Sequence, residues 1–152
     1  MNDVFSLEQT LPVLREVTES GGEFRLYPKG TSMLPTLKQG RDSVGLRKTR
    51  EIKKGDVLLY RRATGEYVLH RVLAVEKDGT LTMCGDNQTV LERGLPISAV
   101  IATAERLFIG DKAVKRDSVK YRLLFLKARI RTRTLWILRR AYGFVKKILC
   151  IR

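Results

Sequence analysis

Ser32 lies in the stretch GTSMLPTL (30–37), one residue after Thr31 and directly before Met33, with Pro35 constraining the chain soon afterwards. A serine hydroxyl is a poor nucleophile near neutral pH unless a neighbouring base takes its proton during attack. The chain holds a single imidazole, His70, within VLHRVLAV (68–75). With a reference pKa of about 6.5, an imidazole serves as a base without the strong perturbation a lysine needs. Two further stretches set acids beside glycines: Gly55-Asp56 ahead of an apolar run, and Gly85-Asp86-Asn87. Taken singly, each has an ordinary structural reading. A serine in such a turn bonds its own backbone, and an acid in Gly-Asp-Asn is a turn residue. His70 shares a strand face with Val68, Val72 and Ala74, the setting of a half-buried histidine.

Groups of this kind need a scaffold. A chain of 152 residues with 43% hydrophobic content supports one domain with a real core plus an appendage. Leu7, Leu11, Leu14 and Val17 recur at helical spacing, so a short helix is expected within residues 7–19, ended by Gly21-Gly22. Its start has two readings: a capping box of Ser6 with Gln9, or Pro12 in a first turn capped by Thr10. From Glu23 the period becomes two. FRLYP (24–28), DSVGLR (42–47), DVLLYRR (56–62), EYVLHRVLAVE (66–76), TLTMC (80–84) and AVIATAERLFI (99–109) read as strands separated by turn signals, a compact and mainly antiparallel β domain.

Charge divides the chain. Residues 112–152 hold 14 of the 30 Lys and Arg and, of the 16 acids, only Asp117, a balance of +13; residues 1–111 carry 16 − 15 = +1. From about Ser118 the pattern is helical, with Leu123, Leu126, Ile130, Thr134, Ile137, Leu138, Ala141, Phe144, Val145 and Ile148 in one stripe and Arg129, Arg139, Arg140, Lys146 and Lys147 roughly opposite. Gly143 weakens this helix, so one segment and two are both open. The sequence thus divides into an N-terminal helical segment (1–22), a β domain (23–111) and a basic amphipathic helical tail (112–152).

GTSMLPTL, KKGDVLLY, VLHRVLAV and GDN, in that order, resemble the S24/S26-type serine peptidases, the superfamily of signal peptidases and SOS-repressor peptidases. Four such boxes in order are hard to obtain by chance, and they span about residues 23–109. The resemblance implies a signal-peptidase/SOS-repressor-like β fold and a serine endopeptidase. His70-Arg71-Val72 is similar to the histidine-based archaeal and endoplasmic-reticulum type rather than to the lysine-based bacterial type. It further implies Ser32 as nucleophile, His70 as general base and Asp86 as the acid that orients His70. The backbone N–H of Ser32 becomes the oxyanion donor, since position 30 is glycine. Met33 and Pro35 would shape the cleft and Asn87 support the loop. Histidine-type enzymes tend to carry another acid after the GDN box, and here the nearest is Glu92.

With one histidine and no Cys-x-x-Cys, no zinc site is expected and no cofactor is implied. Cys84 and Cys150, far apart in the chain, read as free thiols of a reducing compartment. The N-terminus has neither secretory nor spanning character, so a cytoplasmic protein is expected, peripheral at the inner face of the cell membrane where its tail meets lipid. The tail fits an anionic surface better than nucleic acid, because a bilayer uses both its charge and its apolar side. Membrane contact would involve Arg129, Trp136, Arg139, Arg140, Lys146 and Lys147; the alternative is a stripe packed on the β domain as core. The expected partner is a peptide or precursor-protein substrate. Two competing readings are a non-catalytic module that holds an extended peptide as an added strand, and a DNA-associated regulator of SOS-repressor type. The second lacks room for a helix-turn-helix before residue 23 and has no Ala-Gly bond for self-cleavage.

Overall fold

The structure is a computed structural model that describes residues 7–149, except for the side chains of Leu135, Arg139, Ala141 and residues 143–149. It is mainly an antiparallel β sheet with a short helix before it and a long one after it. Helix α1 (Leu7–Glu19) buries Leu11, Leu14 and Thr18. Thr10 and Pro12 both lie inside it, and the Thr10 hydroxyl donates to the Leu7 carbonyl (3.0 Å), so Thr10 is not the cap. Ser6 lies outside the described residues. The C-terminus closes as expected, with Gly21 and Gly22 donating to the Thr18 and Val17 carbonyls.

The eight strands are β1 (Phe24–Leu26), β2 (Ser43–Arg47), β3 (Val57–Arg61), β4 (Tyr67–Val75), β5 (Leu81–Cys84), β6 (Glu92–Leu95), β7 (Val100–Ile109) and β8 (Lys112–Lys115). They form one sheet in the order β1-β2-β7-β3-β4-β5-β6, with β8 on β7. Register shifts interrupt the β2–β7, β3–β7, β4–β5 and β5–β6 ladders, and each adds local twist and bend. Side-chain alternation divides the core in two. Val57, Leu59 and Leu69 join Leu14, Met33 and Leu37 in the larger cluster. Leu58, Tyr60 and Val72 join Leu81 and Met83 in the smaller one. His70 is paired with Leu58 across β3–β4, so it belongs to the side of the smaller cluster.

Strands β6 and β8 were not expected. ERGL and KAVK carry little apolar signal, and β8 buries only Val114. Pairing of β8 with β7 returns residues 112–115 to the sheet, so the helical tail does not begin at 112. It begins at Val119 as α2 (Val119–Leu149), a single helix that continues through Gly143. The Ser118 hydroxyl accepts the Tyr121 N–H at its N-terminus (3.2 Å). Its first half docks on the domain: Tyr121, Ala128 and Thr132 are buried, and the Tyr121 hydroxyl accepts the Val57 N–H (3.0 Å). The docked face is therefore not the stripe read from the sequence.

Candidate active site

Ser32 sits in the turn between β1 and β2, tied to the Gly85-Asp86-Asn87 loop. Its carbonyl accepts the Asn87 N–H (2.8 Å), and a Cβ at Gly85 would lie 2.7 Å from that oxygen. Only glycine allows this approach. Cys84 pairs with Arg71, so the Gly85–Asn87 loop, to which the Ser32 turn is tied, leaves the sheet one residue along β4 from His70. Ser32 is half-buried, and among the described residues neither its hydroxyl nor its N–H has a hydrogen-bond partner. Met33 is buried in the larger core cluster, and Pro35 is exposed on the turn. Asn87 is exposed, its Oδ1 accepting from Arg131 on α2 (3.4 Å).

His70 is 1% exposed. Its Nδ1 lies 3.0 Å from Glu92 Oε1 and 3.2 Å from the Tyr60 hydroxyl oxygen. Tyr60 donates to Glu92 Oε2 (2.9 Å), and Arg62 Nε donates to the same oxygen (2.8 Å). The Arg62 hydrogen bond holds the Glu92 carboxyl below its usual range, against the opposing effect of burial. An ionised Glu92 accepts a hydrogen bond from Nδ1–H, which fixes the tautomer and leaves the lone pair on Nε2. Burial is the main force that pushes the imidazole below its ordinary value; Glu92 opposes it, while the Arg62 charge adds to it. The ring is thus neutral at neutral pH. No hydrogen bond joins Nε2 to Ser32 or to any other described residue. No side-chain nitrogen or oxygen among the described residues is buried without a partner.

Asp86 does not orient His70. Both its oxygens are engaged by Arg71, from Nε and Nη2 at 2.7 Å each, and Oδ2 also accepts the Thr36 hydroxyl. Arg71 is fully buried, donates its third nitrogen to the Gly55 carbonyl (2.7 Å), and lies 5.4 Å from the Tyr121 and Phe125 ring centres. A buried guanidinium demands a carboxylate, and Asp86 is the one within reach. Its backbone carbonyl accepts the Thr132 hydroxyl of α2 (2.6 Å). Asp56 of the Gly55-Asp56 turn is likewise structural, clamped by Arg116 at 2.7 and 2.6 Å. Sequence reasoning named Glu92 without a role and passed over Tyr60 and Arg62. The signal was present: Leu58, Tyr60 and Arg62 share one side of the β3 run, and Leu58 pairs with His70.

A groove of about 440 Å³ opens in front of Ser32. Ser32, Leu26 to Lys29, and Tyr67, Val68 and Leu69 of β4 are among its lining residues, and His70 is not. Strand β5 pairs only with Arg71–Val75, so the preceding half of β4 has β3 on one side and no described strand on the other. An unpaired edge beside an apolar groove can accept an extended chain by main-chain hydrogen bonds. Among the described residues no cluster of His, Cys, Asp and Glu could hold a metal ion. Cys84 is a free, buried thiol; Cys150 lies outside the described residues. No family model, curated protein or solved structure matches the chain.

Proposed function

We propose that the protein is a serine endopeptidase of the histidine-base type, as the resemblance to S24/S26-type peptidases implies. One observation carries the reading. The only imidazole in the chain is held by an ionised Glu92 through Nδ1, which leaves the Nε2 lone pair free to act as a base, one residue along β4 from the point where β5 leads into the loop tied to Ser32. An extended peptide pairs with the free edge of β4 and presents its carbonyl to Ser32. Nε2 removes the Ser32 proton as Oγ attacks, and the unpartnered Ser32 N–H stabilises the oxyanion. His70 then protonates the leaving amine, and the same nitrogen activates the water that releases the acyl group. Glu92 stabilises the imidazolium formed in both halves; Tyr60 and Arg62 hold Glu92 in place. The Ser32–His70 contact closes with substrate, as catalytic hydrogen bonds are often long in free enzymes.

The absence of a hydrogen bond between Ser32 and His70 also suits a second reading, a module that binds extended peptides without cutting them. A diverse peptide mixture followed by mass spectrometry distinguishes the two. Cleavage by the wild type, with binding but no cleavage by Ser32→Ala, is expected. Equal binding by both proteins with no new termini would establish the binding module.

A further inference from the structure

Two opposite faces of α2 are apolar, and the β domain covers only one of them. Tyr121, Leu124, Phe125, Ala128 and Thr132 recur at helical spacing on the docked face. Val119, Leu123, Leu126, Ile130 and Ile137 recur at the same spacing on the far side, and each is more than half exposed. Basic residues border that outward stripe on both flanks: Arg122, Arg133 and Arg140 on one, Lys120, Lys127 and Arg131 on the other, all exposed. Over Val119–Leu149 the sequence contains ten Lys and Arg and no Asp or Glu. Of the tail residues singled out from sequence, Arg129 is half-buried and lines a hollow with Trp136, Gln88 and Leu91. Trp136 keeps an exposed ring beneath the Arg140 guanidinium (5.3 Å). Arg139, Lys146 and Lys147 fall in α2, and their side chains lie outside the described residues.

We infer that α2 is an in-plane anchor that lays its outward stripe on an anionic lipid surface while its opposite face carries the β domain. The pattern is that of an interfacial helix: an apolar stripe of limited width, cationic flanks to meet headgroups, and long basic side chains able to keep their charges at the surface. A second protein would need acidic residues along both flanks, whereas an anionic leaflet supplies negative charge along the whole length of roughly 45 Å. No helix of the described residues is long and apolar enough to cross a bilayer, so the contact is peripheral. Docked on the other side of α2, the Gly85–Asn87 loop would sit about a helix diameter, roughly 10 Å, above the lipid. Anchoring depends on α2 alone and is separable from any reaction at Ser32.

Trp136, the only tryptophan, gives the test a built-in reporter. Full-length protein is titrated with vesicles of phosphatidylcholine alone and with vesicles containing 30% phosphatidylglycerol, following tryptophan emission and co-sedimentation. Blue-shifted emission and sedimentation only with the anionic vesicles are expected, both weakened by salt. Replacing Arg133 or Lys127 with Gln should lower partitioning about fivefold each. Ile130→Asp should lower it at least about tenfold. These sites are exposed, so the unfolding transition should stay where it is. Absence of binding to anionic vesicles would overturn the inference. So would binding insensitive to Ile130→Asp, which would reduce α2 to a charged rod, or a wild-type dimer that Ile130→Asp dissociates, which would assign the stripe to a second copy of the chain.

Discussion

Replacing Asp86 with Ala removes the only carboxylate among the described residues that pairs with Arg71. Two charge-assisted bonds at 2.7 Å are lost, and the fully buried guanidinium keeps its bond to the Gly55 carbonyl and the two neighbouring rings. Breaking a buried pair from one side costs about 3–5 kcal/mol, because the surviving charge is left uncompensated. The Thr36 hydroxyl, also buried, loses its acceptor and adds to the cost. Against a total stability of about 5–15 kcal/mol this is a large fraction. At roughly 2–4 °C per kcal/mol for a chain of this size, the melting temperature should fall by about 6–20 °C. Thermal and urea unfolding of wild type, Asp86→Ala and the double variant Asp86→Ala/Arg71→Met measure it. The double variant should recover much of the loss, since removing both charges restores an apolar contact with Tyr121 and Phe125. A loss below about 1 kcal/mol, or a folded Asp86→Ala whose Ser32 has lost reactivity, would refute the structural role and return Asp86 to His70.

Other expectations follow from the same contacts. Since burial pushes His70 below its unfolded value, the unfolded chain takes up that proton first. This contribution to stability is full above about pH 6.5 and declines as pH falls toward the folded value. Peptidase activity should accordingly keep its acid limb below about pH 6.5; a limb above that value would contradict the assignment. Glu92→Gln removes the charge that raises the His70 pKa and replaces an acceptor-only carboxylate by an amide that can also donate, so the tautomer is no longer fixed. The rate should drop about 10²–10⁴-fold and the acid limb move further down, and an unchanged profile would show that Glu92 does not position the ring. Gly85→Ala places a methyl group 2.7 Å from the Ser32 carbonyl. Ser32 acylation should slow at least about tenfold in protein that still unfolds cooperatively, and an undiminished rate would mean the loop contact does not set the position of Ser32.

The six strands with a strong apolar pattern were legible because their apolar side chains pack in or against the two core clusters. FRLYP, DSVGLR, DVLLYRR, EYVLHRVLAVE, TLTMC and AVIATAERLFI all contain observed strands. ERGL and KAVK were not legible, since a short strand at or near a sheet edge is held by its backbone and needs few apolar side chains. The tail was legible as a helix but not as to which face docks. Tyr121, Phe125 and Thr132 dock because they meet Val57, Arg71 and Asp86 in space, partners that no local pattern announces. Asp86 misleads for the same reason: sequence order sets it near His70, yet the buried charge of Arg71 claims it. Glu92 reaches His70 only because β6 folds back along β5, a strand the hydrophobic pattern left unmarked.

The most direct test of the central claim is labelling of the full-length protein with a serine-directed acylating probe, with the adduct located by mass spectrometry in wild type, Ser32→Ala and His70→Ala. A single adduct on Ser32, absent from Ser32→Ala and slowed at least about a hundredfold in His70→Ala, is predicted for a hydroxyl activated by the imidazole. Labelling of Ser32 at the same rate without His70, or no Ser32 adduct in folded wild type across several probe chemistries, would contradict it.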